Sequence, residues 1–188
     1  AELAGIRVFA TGGIGGVHRG GELDVSADLT ALGTIPVAVV CSGPKAVLDV
    51  ARTVEALETL GVPVIGQSVD VLPEFWTRGT DLPVSARSDD ATRTAAILDA
   101  HWGCGLTTGA VVANPIPVGH ELDRDMFAAA IESGLAAATA RGVRGRDVTP
   151  FLLTHVAAAT DGRSLEANMA LVRDNAAVAG RIAVALSA

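Results

Sequence analysis

Ile35-Pro36-Val37-Ala38-Val39-Val40-Cys41-Ser42-Gly43-Pro44-Lys45-Ala46-Val47-Leu48-Asp49-Val50 decides the architecture. The run from Ile35 to Cys41 is rich in β-branched residues and has no polar alternation, which predicts a strand buried on both faces. Ser42-Gly43-Pro44 is turn chemistry. From Lys45 to Leu60 the apolar residues Val47, Leu48, Val50, Ala51, Val54 and Leu57 keep helical spacing, so a helix is expected there. Pro44 fits its first turn and Gly61 its C-terminal cap.

The same grammar repeats outward from this stretch. Ile6–Ala10, Val62–Ile65 and Leu106–Ala113 read as further strands. Asp89–Trp102 reads as a helix with Ser88 as N-cap, Asp123–Arg141 as an Ala-rich helix, and Thr149-Pro150 as the start of another reaching Thr160. Ser164–Ala185 is the last long helix, with Ser164 as its cap and Leu165, Met169 and Val172 as its apolar face. Leu72–Trp76 with Thr77-Arg78-Gly79 reads as an irregular excursion. Strands alternating with helices, without repeats or a linker, predict one α/β domain over 1–188: a largely parallel sheet flanked by helices, three-layer α/β/α.

Composition narrows the function. Charged residues are 19% and hydrophobic ones 49%, a globular balance rather than a disordered one. Aromatics are only 3%, so small and branched aliphatic side chains must build the core. The net charge of −7, with no basic cluster, argues against a nucleic-acid partner. No apolar run is long enough for a membrane span and no signal peptide is visible, so no membrane partner and a cytoplasmic location are expected. Cys41 and Cys104 lie outside metal spacing and are expected as buried free thiols.

Four segments carry possible chemistry. Thr11-Gly12-Gly13-Ile14-Gly15-Gly16-Val17-His18-Arg19-Gly20 follows a strand and offers backbone N–H groups to a phosphate, with Thr11, His18 and Arg19 as added donors. It is no Walker A and no GxGxxG, and a plain structural turn would also satisfy it. Asp24-Val25-Ser26-Ala27-Asp28, if extended, puts Asp24, Ser26 and Asp28 on one side, an oxygen set suited to Mg²⁺ or Mn²⁺. The competing reading is a helix cap before Leu29.

Lys45 is the chain's single lysine amid many arginines. Arginine cannot form an imine and lysine can. A helix N-terminus disfavours a cation, so a lysine in the first turn is expected to release its proton more readily. An ordinary surface lysine is the alternative. Asn168 sits beside the apolar face of the last helix, where a polar side chain usually has a defined partner. His101, His120 and His155 have no ligand spacing and read as structural.

Taken together, VFATGGIGGVHRG, DVSADL, VVCSGPKAVLD, TLGVPVIG, ANPIP, TPFLLTHV and SLEANMALVRDNA resemble the pseudouridine-5′-phosphate glycosidases over essentially the whole chain. The resemblance implies reversible cleavage of the C-glycosidic bond of pseudouridine 5′-phosphate to uracil and ribose 5-phosphate. By matched motif position, it implies that Lys45 is the nucleophile forming an imine with C1′ of the opened ribose, and that Asp24 is the Mn²⁺ ligand. It implies substrate binding by Ser26, Ala27 and Asp28, phosphate binding by Thr11 and His18, and an active-site role for Asn168. It also implies a homotrimer.

Family members carry more chain ahead of the Ile6 strand, with a glutamate proton donor and a phosphate-binding lysine. The chain is therefore expected to be the C-terminal portion of a longer glycosidase, or to work with a separate N-terminal segment. Alone it is expected to turn over poorly, because Glu2, Glu22 and Glu55 have no motif reason to serve as the acid. An aldolase-like lyase would explain Lys45 and the glycine loop but not DVSADL. An inert fragment or a non-catalytic sugar-phosphate or nucleotide-binding module is the remaining alternative.

Overall fold

The structure, a computed structural model, describes residues 1–19, 24–143 and 147–188, with Thr149 described by its backbone alone. The loop positions 20–23, Glu22 among them, lie outside the described residues. A five-stranded sheet runs β1 (Val8–Ala10), β3 (Ala38–Cys41), β7 (Ala110–Ala113), β5 (Val64–Gln67), β6 (Ala86–Ser88) in spatial order. Every pairing in it is parallel. Two short strands, β2 (Val17–His18) and β4 (Leu48–Asp49), pair antiparallel beside it.

Helices cover both faces, giving the three-layer α/β/α arrangement. On one face α3 (Ala91–Gly103) and α6 (Arg163–Leu186) pack Leu98, Val178, Ala179 and Ile182 against Ala38, Val40, Ile65, Ala110 and Val112. On the other, α1 (Ala27–Leu32) and α2 (Val50–Thr59) set Leu29, Leu32, Val50 and Leu57 against Cys41, Val64, Val111 and Ala113. All four residues of β7 are 0% exposed, as its central position requires. A third cluster joins α4 (Arg124–Ala140), α5 (Val148–Ala159) and the start of α6 to Ala46, Val47, Leu48, Phe75, Trp76 and Ile116. The irregular excursion is thus a plug: Trp76 is 1% exposed and packs edge-on against Phe75 and Phe127.

The expected elements hold in kind, with four corrections. Helix α2 does not begin at Lys45. It begins at Val50, capped by the Asp49 carboxylate, which accepts Arg52 N. The residues before it are drawn instead into the β4 pairing with the glycine-rich segment. Ser88 ends strand β6, and Asp90 caps α3. Gly162, at φ 79°, precedes α6, so Ser164 lies inside the helix. The face of α6 that packs is Ala167, Leu171, Asn175, Val178 and Ile182, whereas Leu165, Met169 and Val172 are exposed.

Strand β1 is at the sheet edge, and Phe9 is half exposed. Both cysteines are free, but only Cys41 is buried; Cys104 is exposed at the end of α3. Among the described residues no helix is long and apolar enough to cross a membrane.

Candidate active site

The site lies where parallel α/β sheets place their ligands, beyond the carboxyl ends of the strands. Past Ala10 and Cys41 the chain does not part from its neighbour. Ser42 N donates to Gly12 O at 2.9 Å, Ile14 N to Gly43 O at 3.1 Å, and Lys45 N to Ile14 O at 2.9 Å. The segments 11–14 and 42–45 therefore continue the β1–β3 ladder into the loops, closed by a parallel bridge between Ile14 and Pro44. Gly43 has φ 85°, and a Cβ there would meet the Pro73 carbonyl, so this turn requires glycine.

Lys45 emerges at the end of that ladder. Its side chain is exposed and makes no ion pair among the described residues. It borders two cavities. One, of about 210 Å³, is lined by Thr11, Gly12, Gly13, Lys45, Phe75 and Asn168, among others. The other, of about 430 Å³, has Thr11, Asp28, Lys45 and Glu2 at an otherwise apolar wall that includes Phe9, Ile35 and Val39. Lys45 is not in the first turn of a helix, so a helix terminus does not supply the expected reason for its reactivity. What the structure offers it is a cavity with apolar walls on each side.

Asn168 projects into the smaller cavity from α6. Its Oδ1 is buried and has no hydrogen-bond partner among the described residues. A buried acceptor left unpaired costs about 1–3 kcal/mol, a cost that a hydrogen-bond donor entering the cavity would relieve.

The segment 24–28 folds differently from an extended oxygen face. Val25 bridges Val17, Ser26 N donates to Gly16 O, and His18 N donates to Asp24 O, so 24–26 is laid along the glycine-rich segment. Helix α1 then starts at Ala27. Ser26 Oγ is its N-cap, accepting Asp28 N at 3.2 Å, and Asp28 Oδ2 accepts Gly15 N at 2.7 Å. A Cβ on Gly15 would run into Ser26 Oγ, which explains the glycine. The cap reading therefore holds for Ser26, and Asp28 is engaged by the loop.

Asp24 alone keeps an exposed carboxylate without a partner among the described residues. No group of three or more His, Cys, Asp or Glu gathers around it among those residues. One hard oxygen donor open to water fits a mostly hydrated Mg²⁺ or Mn²⁺ and does not fit a closed Zn²⁺ site.

The structure thus brings Thr11, Lys45 and Asn168 together on one cavity and Thr11, Asp28 and Lys45 on the next. His18, Asp24, Ser26 and Ala27 line neither. Arg19 faces away, bonding Leu48 O and pairing with Glu74 at 3.7 Å. Sequence reading missed Ser42, Asn114 and Asn175, all buried beneath the site. The usable signal was Asn175 itself, a polar residue in register with Leu171, Val178 and Ile182 on the packed stripe of α6.

The indigoidine synthase A-like protein family model matches residues 1–185. The chain belongs to this family. A curated pseudouridine-5′-phosphate glycosidase of Geobacillus kaustophilus is 52% identical over 100% of this chain and 63% of its own length. One of Caldanaerobacter subterraneus subsp. tengcongensis is 50% identical over 100% of this chain and 62% of its own. The chain therefore spans under two thirds of these relatives. Among solved structures, a prealnumycin C-glycosynthase in complex with ribulose 5-phosphate superposes with a TM-score of 0.93 at 41% identity, over 100% of this chain and 62% of that one. An indigoidine synthase A-like protein of Thermotoga maritima gives 0.90 at 37% identity, over 99% and 61%. The indigoidine synthase A-like fold is thus shared from β1 to the last turns of α6.

Proposed function

We propose that this chain carries the nucleophile and sugar-binding part of an enzyme that makes and breaks the C-glycosidic bond of pseudouridine 5′-phosphate. Relatives named for that activity and a C-glycosynthase neighbour bound to a pentulose phosphate support the substrate class. The single observation that carries the reading is the shared cavity of Lys45 and Asn168, where an acceptor unpaired among the described residues and the chain's only lysine line the same wall.

The chemistry follows from the groups present. In cleavage the neutral Lys45 amine attacks C1′ and O4′ leaves as the C4′ hydroxyl with a proton, opening the ribose ring. Uracil C5 then takes a proton from an acid, the C1′–C5 bond breaks with its electrons staying on the uracil ring, and the Lys45 nitrogen lone pair forms the C=N bond to C1′. Water hydrolyses that imine to free ribose 5-phosphate and the amine; synthesis is the reverse. On the larger cavity the carboxyl groups are Glu2 and Asp28, and Asp28 is already engaged by Gly15. The acid is therefore assigned, on the resemblance, to a glutamate in the part of the relatives that this chain does not span. Thr11 and backbone amides of the glycine-rich segment hold the phosphate, with His18 at its far end, and Ser26, Ala27 and Asp28 keep that segment in place beside the sugar.

The metal reading goes with Asp24, which would hold a Mn²⁺ whose remaining shell is water. Such an ion supplies positive charge and ordered water next to an anionic substrate.

The test uses the full-length enzyme with ribose 5-phosphate, uracil and Mn²⁺, reduced with borohydride and digested. A ribose-phosphate mass on the Lys45 peptide is expected, with loss of activity and adduct in Lys45→Arg. An adduct on another residue, or an active Lys45→Arg, ends the proposal.

A further inference from the structure

Beneath the site lies a buried amide that touches three neighbouring strands at once. Asn175 is 0% exposed on α6. Its Nδ2 donates to Thr11 O at 2.8 Å and to Ser42 Oγ at 3.2 Å. Its Oδ1 accepts Asn114 Nδ2 at 3.0 Å and lies 3.4 Å from Ser42 Oγ. Thr11, Ser42 and Asn114 are the residues that directly follow β1, β3 and β7, which are adjacent in the sheet. Asn114 Nδ2 is shared with Asp174 Oδ2 at 2.8 Å, so the link is anchored to α6 at two successive positions.

We propose that Asn175 is a positioning residue for Lys45, a clamp that holds the carboxyl ends of β1, β3 and β7 in one register and so sets where the loop 42–45 presents the amine. This rests on the reading of Lys45 as nucleophile. The route from clamp to amine is short and continuous. Asn175 fixes the Thr11 carbonyl and the Ser42 hydroxyl. Those residues open the ladder of Ser42 N to Gly12 O, Ile14 N to Gly43 O and Lys45 N to Ile14 O.

The remainder of the packed stripe, Leu171, Val178 and Ile182, is apolar. An apolar residue at 175 would pack as well against the sheet but would take the donor from the Thr11 carbonyl and leave Asn114 Nδ2 with Asp174 alone. The polar choice thus favours a unique register of these loops over simple core filling. Asn175 lines neither of the two cavities beside Lys45, so it acts through Thr11 and Ser42 and not on substrate.

The experiment compares full-length wild-type enzyme, Asn175→Ala and Asn175→Asp, which keeps shape and acceptor but loses the donation to Thr11. In both variants the kcat and the rate of borohydride trapping on Lys45 should fall about tenfold to a hundredfold, since misplacing a reacting group by ~1 Å has effects of that order. The KM for ribose 5-phosphate should move less than about threefold, because Asn175 bonds the Thr11 carbonyl and not the Thr11 hydroxyl or the glycine-rich amides assigned to the phosphate. Amides of Ile14 and Lys45 should exchange hydrogen about tenfold faster, while that of Val112 in the sheet centre keeps its protection. Unchanged exchange at Ile14 and Lys45, or an equal rise at Val112, overturns the clamp, as does a kcat loss that tracks only the unfolded fraction. If Asn175→Ala does not fold, Asn175→Asp decides on the same readouts. An adduct away from Lys45 in the wild-type enzyme overturns the nucleophile reading instead, and the exchange pattern then judges the clamp by itself.

Discussion

The Asp28 carboxylate accepts the backbone amide of Gly15 at 2.7 Å, tying the first turn of α1 to the middle of the glycine-rich segment. With the bonds of Ser26 N to Gly16 O and His18 N to Asp24 O, this contact lets the DVSADL stretch shape the loop that borders Lys45. A charge-assisted bond to a backbone amide is stronger than a neutral one.

Replacing Asp28 by Asn keeps the shape and removes the charge. Asp28 is solvent-exposed, so a loss of only about 1 kcal/mol in unfolding free energy is expected. Urea unfolding of the full chain checks it. A larger effect should appear in KM for the sugar phosphate, because the loop that offers its amides loses a tether.

The orphaned Oδ1 of Asn168 gives a prediction with opposite signs for stability and activity. Asn168→Leu removes an unpaired buried acceptor and should leave stability unchanged or raised by up to about 1 kcal/mol. Turnover should fall on the order of tenfold to a hundredfold as the contact to substrate is lost. Thermal melting and steady-state kinetics on the same preparation separate the two. A variant that melts earlier and keeps its turnover would make Asn168 a structural residue.

The Asp24 carboxylate has no protein partner among the described residues, and the bond from His18 N goes to the backbone carbonyl, so removing the side chain should leave the fold unharmed. Asp24→Ala is expected to melt at the wild-type temperature without metal and to lack the upward shift expected of the wild type with Mn²⁺, since an ion that binds the folded state stabilises it. Metal content after dialysis should fall with it. Stoichiometric Mn²⁺ retained by Asp24→Ala would place the ion elsewhere.

The two cysteines should titrate apart. Burial first, and the nearby Asp28 charge to a smaller extent, raise the Cys41 thiol to about 12, against hydrogen bonds from the Gly43 and Ile14 backbone that lower it. At pH 8 a thiol reagent should modify Cys104 in the native chain, and Cys41 only after unfolding. The folded state keeps a proton that the unfolded chain releases above the ordinary thiol value of 9.0. Stability is therefore unaffected by this group below that pH and falls as pH rises from there towards 12. A Cys41→Ala variant should show a shallower alkaline decline, measured by urea unfolding across that range.

Much of this protein was legible locally. The β-branched run ending at Cys41, the Ser-Gly-Pro turn, the 3.6-residue spacing from Val50 to Leu57 and the length of α6 are properties of neighbouring residues, and they suffice for an α/β sheet with helices on both faces. The singular lysine also needed no structure. Other features depended on partners distant in the chain. Whether Val47 and Leu48 were helix or strand turned on β2, which captures Leu48 opposite His18 and delays α2 to Val50.

Which stripe of α6 is buried could not be decided from apolar spacing, because Leu165, Met169 and Val172 are as regular as Leu171, Val178 and Ile182. The sheet chose the second set by accepting Asn175, whose bonds reach Thr11 across 164 positions and Ser42 across 133. Short-range patterns in a sequence report periodicity and turn chemistry. The pairing of a buried amide with three strand ends exists only when the chain has brought them together, and there the tertiary structure alone determined the geometry of the site.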